Sequence, residues 1–229
     1  MASLFLKQLL VGRDLAQGDA VAEGMQNFVY LVGDADTRQC LVIDPAWDVA
    51  GLVQLVREQE FELVGALATH YHPDHIGGSM FGFSVQGLAR LLELAPCPVH
   101  AHRLEADGIV KVTGLSKNDI VPHDSGDTIQ VGDVEVKLLH TPGHTPGSSC
   151  FRVKDALLAG DTLFLQGCGR VDLPGGDPEE MRRTLTQRLA PLADEIVLYP
   201  GHAYGGESAP LGDVRRFNPY FPPPAPSSD

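Results

Sequence analysis

The sequence predicts an α/β protein in which two β-sheets are sandwiched between helices. Two half-chain patterns, each with strands preceding helices, carry this expectation. A third observation adds a functional site: four loops that follow apolar strands hold histidine and aspartate. Loops fixed by a rigid sheet are where binding residues concentrate. A length of 229 residues with 43% hydrophobic content suits one packed domain. That domain is expected over residues 1–216, followed by a proline-rich tail over 217–229 that offers little to a core.

The elements follow from apolar spacing. Residues 27–32 and 40–44 read as paired strands joined by a polar turn over 33–38. Residues 50–60 carry Leu52, Val53, Leu55 and Val56 at helical spacing, and residues 63–69 form a buried strand. A helix is predicted over 80–95, with Leu88, Leu91, Leu92 and Ala95 on one face, and a short strand over 98–102. Residues 103–126 are mixed, a helix or two with a connecting loop, and no linker composition marks a boundary. Strands resume at Thr128 and continue over 134–139, 148–153 and 156–159, before a helix over 179–189 and a last strand over 195–199. Residues 79–139 are left open as a lid over the site or a part of the core.

The densest segment is Thr69-His70-Tyr71-His72-Pro73-Asp74-His75, at the end of the strand over 63–69. Alternate side chains of an extended chain point the same way, so His70 and His72 leave the strand end together. Pro73 disfavours helix at His72. The chain then turns, and Asp74 and His75 project differently, so one loop can serve two metal ions. Gly77 and Gly78 allow the backbone to pass close to a crowded site. Three later loops add candidates: His144 after 134–139, Asp161 after 156–159, and His202 after 195–199. The total is five imidazoles and two carboxylates. His100 and His102 also alternate, but no carboxylate or turn glycine completes them, and structural roles are expected.

Composition excludes other classes. A formal net charge of −13 argues against nonspecific nucleic-acid binding, which needs a basic face. Cys40, Cys97, Cys150 and Cys168 form no CxxC pair, so neither a thiolate zinc site nor a disulfide scaffold is indicated. Reduced thiols, no leader-like N-terminus and no apolar run of membrane length lead to the expectation of a cytoplasmic protein with no membrane partner.

These motifs, in this order, resemble the metallo-β-lactamase superfamily over most of the chain. The resemblance implies a four-layer αββα sandwich with a metal site at the edge of the two sheets. It also implies that His70, His72 and His144 hold one metal ion, that Asp74, His75 and His202 hold another, and that Asp161 bridges them. True zinc β-lactamases of the common type use cysteine where Asp161 stands, and nuclease branches carry an extra domain or basic arm. Gly160-Asp161-Thr162-Leu163-Phe164 and Gly167-Cys168-Gly169-Arg170 are most similar to the glyoxalase II group, in its short single-domain form.

The implied activity is hydrolysis of a thioester such as a hydroxyacylglutathione by a metal-bound hydroxide. Two divalent ions, zinc first, with iron or manganese also suited, are implied. Asp74 is both ligand and catalytic residue, and Arg170 and Tyr204 are candidate substrate contacts. The same pattern resembles the persulfide dioxygenases, in which His70, His144 and Asp161 would face a single iron. A third reading is a non-catalytic metal-binding protein. Asp44 is open between orienting a ligand imidazole and forming a turn, Arg170 between substrate and a salt bridge with Asp172, and Cys168 is expected to be a packing residue.

Overall fold

The computed structural model describes residues 2–222. Strands β1 (Leu4–Leu10), β2 (Phe28–Asp34), β3 (Gln39–Ile43), β4 (Glu62–Leu67), β7 (Val99–His102) and β8 (Ile120–His123) form one sheet in that order. The second sheet runs β14 (Ala209–Pro210), β13 (Val197–Pro200), β12 (Ala156–Gly160), β11 (Ser149–Val153), β10 (Val134–His140), β9 (Thr128–Val131). A hairpin of β5 (Gly78–Met80) and β6 (Phe83–Val85) stands apart.

Alternation along the strands sorts side chains into three apolar layers. Phe28, Tyr30 and Val32 of β2 face Val136, Leu138 and Phe151 of the second sheet, forming the layer between the sheets. Val29 and Leu31 point the other way, onto α2 (Val49–Glu58), α4 (Leu88–Leu94) and α5 (Ala106–Thr113). Leu157, Ala159 and Leu198 bury the far face of the second sheet against α6 (Pro178–Arg183), its π-helical continuation Thr184–Leu189, and α7 (Leu211–Phe217). Helices, sheet, sheet and helices make the expected αββα sandwich. Strands buried on both faces read as continuous apolar runs, as β2 does.

Two expectations change, and one open alternative narrows. The helix expected over 80–95 begins only at Leu88, because Phe81 and Gly82 turn the β5–β6 hairpin at φ 51° and 83°. In its first half only Met80 and Val85 reach the core, whereas Phe81 and Phe83 are 86% and 52% exposed. Residues 79–139 are mostly not a lid, since β7 and β8 extend the first sheet and β9 and β10 the second. Residues 217–222, assigned to the tail by composition, are anchored to the fold. Asn218 donates to the Phe164 and Gly167 carbonyls at 2.9 and 2.8 Å, and buried Phe221 lies under the Arg215 guanidinium at 4.4 Å. The rest of the expected tail, 223–229, lies outside the described residues. β1, β8, α7 and α1 (Ala20–Met25) were not anticipated as elements.

His100 and His102 join no ligand group. His100 Nδ1 lies 2.9 Å from His123 Nε2, and the His102 ring stacks on His140 at 3.9 Å. Burial first, then the neighbouring imidazole, pushes both rings down to about 4. A ring whose pKa falls on folding contributes stability that is whole above its unfolded value, about 6.5, and lost as pH falls toward the folded value. Melting temperature should therefore drop between pH 6.5 and 4 more steeply in the natural chain than in a His100→Gln/His102→Gln variant. A difference of at least about 3 °C is expected, the shift that roughly 1 kcal/mol produces in a chain of this size. Parallel curves would show that these rings do not titrate with folding.

Candidate metal centre

All seven predicted ligands converge at one edge of the sandwich, where the C-terminal ends of β3, β4, β10, β12 and β13 meet. Main-chain bonds stitch the two sheets there: Ser149 N–H donates to Thr69 O at 3.0 Å, and Phe28 N–H to Gly201 O at 2.8 Å. Pro73 opens a four-residue helix, α3 (Pro73–Ile76), capped by extended His72, and this turn carries Asp74 and His75. A proline suits that first helical position because its missing N–H is one the helix leaves unpaired.

Three groups of candidate ligands lie close together among the described residues. One, Asp44 with His70 and His75, lies at the outer nitrogens of those rings, and the predicted ligands other than Asp161 make up the other two. His70, His72 and His144 form one, and Asp74, His75 and His202 the other. In the first, His144 Nε2 is 2.9 Å from His72 Nδ1. In the second, His75 Nε2 is 3.2 Å from His202 Nε2, and Asp74 Oδ2 is 3.4 Å from each. Asp161 stands between them, with Oδ1 3.3 Å from His75 Nε2 and Oδ2 3.5 Å from both His144 Nε2 and His202 Nε2.

The outer nitrogens of the rings are already engaged. His144 Nδ1 donates to Arg170 O at 2.7 Å, His202 Nδ1 to Met25 O at 2.7 Å, and His75 Nδ1 to Asp44 Oδ2 at 3.0 Å. The Thr69 hydroxyl donates to Asp44 Oδ2 at 2.6 Å, which leaves it to accept from His70 Nδ1 at 3.0 Å. Each of these four rings thus presents Nε2 inward with its tautomer set, the arrangement that orients metal-ligating histidine. Among the described residues, buried His70 Nε2 and Asp161 Oδ1 have no hydrogen-bond partner. Orphaned buried polar atoms are costly, and a divalent cation among nitrogen and oxygen ligands satisfies both. The residues present therefore fit a metal centre.

Asp44, open between two roles in the sequence, is a ligand-orienting carboxylate: it holds His75 directly and His70 through Thr69, one ring from each group. It sits at φ 52°, a conformation rare for a non-glycine residue and tolerated where surroundings impose it. Because both groups lean on it, Asp44→Ala is expected to weaken metal affinity at both by about 10- to 100-fold. Chelator competition would read this, and a loss confined to one group would refute the shared role.

Charge is divided between the groups. Burial, reinforced by neighbouring imidazoles, holds His70 well below the usual range and pushes His72 down to about 4. In the second group burial favours neutral rings, but Asp161 and Asp74 outweigh it, raising His75 and bringing His202 to about 9. Burial likewise opposes the charge on Asp74 and Asp161, yet the His75 and His202 rings hold both carboxyls below their ordinary values.

Tyr204, a candidate substrate contact, stacks on His202 with ring centroids 4.8 Å apart and remains 40% exposed. Arg170 turns its fork to Asp172 through bonds of 2.9 and 2.8 Å, the salt-bridge alternative, and serves the site through its backbone carbonyl. Cys168 belongs to no ligand group and packs beside Val171 and Met181 around a cavity of about 340 Å³. Sequence reasoning missed Asn27, whose amide donates to Asp74 Oδ2 at 3.0 Å, and Trp47, whose Nε1 donates to Asp74 O at 3.0 Å. It also missed Glu105, fully buried between two ligand loops. The one signal available was position: Asn27 starts an apolar strand, and the single tryptophan lies three residues beyond Asp44.

The model of the metallo-beta-lactamase superfamily matches residues 22–202. A probable polyketide biosynthesis zinc-dependent hydrolase, PksB of Bacillus subtilis, is 28% identical over 202 residues, covering 87% of this chain and 83% of that protein. The mitochondrial persulfide dioxygenase ETHE1 of Bos taurus is 33% identical over 199 residues, covering 84% and 70%. A crystal structure of TTHA1623 in a di-iron-bound form superposes with a TM-score of 0.68 at 30% identity, covering 86% of this chain and 96% of that one. Among the described residues no helix is long and apolar enough to cross a membrane. With its fold, ligand groups and family match in agreement, this chain belongs to the metallo-β-lactamase superfamily, whose members include hydrolases and a dioxygenase.

Proposed function

We propose that the protein is a metal-dependent hydrolase that cleaves a small thioester, such as a hydroxyacylglutathione, at a site holding two divalent metal ions. The observation that carries this reading is the place of Asp161, within 3.5 Å of nitrogens from both ligand groups. A carboxylate so placed can bridge two ions, and the di-iron-bound relative supports that stoichiometry. Zinc is the ion proposed, by similarity to the zinc-dependent hydrolase. Two such ions supply an acidified water as nucleophile and a Lewis acid for the carbonyl oxygen.

This chain's residues do the positioning. Asp74, fixed by Asn27 on one oxygen, would accept a hydrogen bond from the attacking water and direct it. Four of the five imidazoles, with outer nitrogens engaged, hold the geometry rigidly enough for the electrostatics to act. A thiol leaving group has a pKa near 8.5, so it departs as thiolate with little help from an acid. None need therefore be built into the site. Tyr204, at the mouth beside His202, is proposed to contact the substrate.

A second reading is a persulfide dioxygenase with a single iron facing His70, His144 and Asp161. It is favoured by the 33% identity to the bovine persulfide dioxygenase. It is also favoured by the two orphaned atoms, His70 Nε2 and Asp161 Oδ1, which both belong to that three-residue face. Metal analysis of protein purified without added metal, beside turnover of a glutathione thioester and oxygen uptake with glutathione persulfide, separates the two. Two ions per chain and thioester cleavage are expected. One iron per chain with oxygen consumption would replace the hydrolase reading by the dioxygenase.

A further inference from the structure

Glu105 is fully buried, belongs to no ligand group, and among the described residues has no cationic partner. A buried carboxylate without a cation persists only if its oxygens are fully hydrogen-bonded, and its partners here come from two different loops. Its Oε2 accepts from Tyr71 N–H at 2.8 Å, the peptide between His70 and His72. Its Oε1 accepts from the Thr145 hydroxyl at 2.8 Å and from Gly147 N–H at 2.6 Å, both on the loop that carries His144. One carboxylate thus ties a loop of the first sheet to a loop of the second, directly behind the pair His72 and His144.

The surroundings are shaped for this contact. A Cβ on Gly147 would lie 2.8 Å from Glu105 Oε1 and 2.9 Å from its Cγ, so any side chain there would push the carboxylate away. Thr145 is held in turn by Ser148, whose Oγ lies 2.6 Å from the threonine hydroxyl. Tyr71 is pinned at its other end, where its hydroxyl donates to Pro174 O at 2.7 Å. None of these bonds is made by a metal ligand, yet together they set the distance between two ligand strands that are remote in sequence.

We propose that Glu105 is a positioning residue for the first ligand group, clamping the His70 and His72 loop to the His144 loop so that the three imidazoles are preset for a metal ion. The inference rests on the reading that this group holds a metal. Its reach is specific: the second group is anchored elsewhere, through Asn27, Trp47 and Met25. Glu105→Gln keeps the shape and one acceptor oxygen but sets an NH2 group against a donor N–H, opening one side of the clamp. Thr145→Val removes a single donor and is the milder probe.

The test is titration of metal-free full-length protein with cobalt(II) against a competing chelator, following the visible spectrum of the bound ion. It is run on the natural chain, Glu105→Gln and Thr145→Val, and on each in a His202→Ala background that retains the first group alone. Glu105→Gln is expected to weaken the first group about 10- to 100-fold, the usual effect of losing a residue that supports a ligand. Its cobalt spectrum should also shift, with second-group affinity within about threefold of the natural chain. Thr145→Val should shift affinity the same way by less, and answers the question should Glu105→Gln fail to fold. First-group affinity and spectrum unchanged in a folded variant, or equal losses at both groups, would overturn the proposal. A natural chain that takes up no cobalt would instead refute the metal reading itself.

Discussion

Asp161→Ala is expected to lower thioester turnover by at least about 1,000-fold and to leave the protein short of metal. Asp161 places its oxygens 3.3 to 3.5 Å from inward-facing nitrogens of both groups. On the two-ion reading, its loss would remove a ligand from each ion and the negative charge that offsets their mutual repulsion. If the Lewis-acid and nucleophile-generating effects together supply several kcal/mol of barrier lowering, losing about 4 kcal/mol corresponds to roughly 1,000-fold in rate. The variant should still fold, because the apolar layers beneath the site do not use Asp161. Metal analysis, a circular-dichroism spectrum and kcat together check this. Turnover within tenfold of the natural chain, with full metal content, would remove Asp161 from the centre of the mechanism.

His202→Ala separates one ion from two. If the second group holds a metal, removing one of its three main ligands should reduce the content from two ions to one and cut turnover by about 100-fold or more. If a single ion sits against His70, His144 and Asp161, His202 only supports that face, and support residues cost between about 10- and 100-fold in affinity or activity. Metal content would then stay at one. The stoichiometry discriminates better than the rate, because the two rate ranges meet. The Tyr204 ring, stacked on His202, loses its neighbour in this variant, so KM should be read beside kcat: a rise in KM alone reports the stacking contact.

The candidate ligands were legible in the sequence because each lies in a loop or turn that follows an apolar strand, and period-two alternation puts His70 and His72 on the same side. The two-sheet sandwich was legible for a related reason, since runs such as residues 28–32 are apolar on both faces and demand a layer on each. The N-terminal half of the expected helix over 80–95 was misread because Phe81 and Phe83 have no packing surface, and Gly82 turns the chain instead. Residues 217–222 were read as loose because composition averages over a segment. One aromatic ring and one amide, Phe221 and Asn218, are enough to hold it in place. Asn27 and Trp47 carried no local signal beyond their position, and Glu105 none, since each acts on a residue at least 20 positions away.

By itself, then, the sequence pointed to the kind of chemistry: seven candidate nitrogen and oxygen ligands in loops after apolar strands, with an aspartate rather than a cysteine at position 161. Local periodicity suffices for that, because it decides which side chains leave a strand together. Only the tertiary structure decided which nitrogen of each ring faces inward, that Asp44 orients one ring in each group, and that Glu105 joins the two loops. Those outcomes depend on how two sheets from opposite halves of the chain register against each other at one edge, and no spacing within either half encodes that alignment.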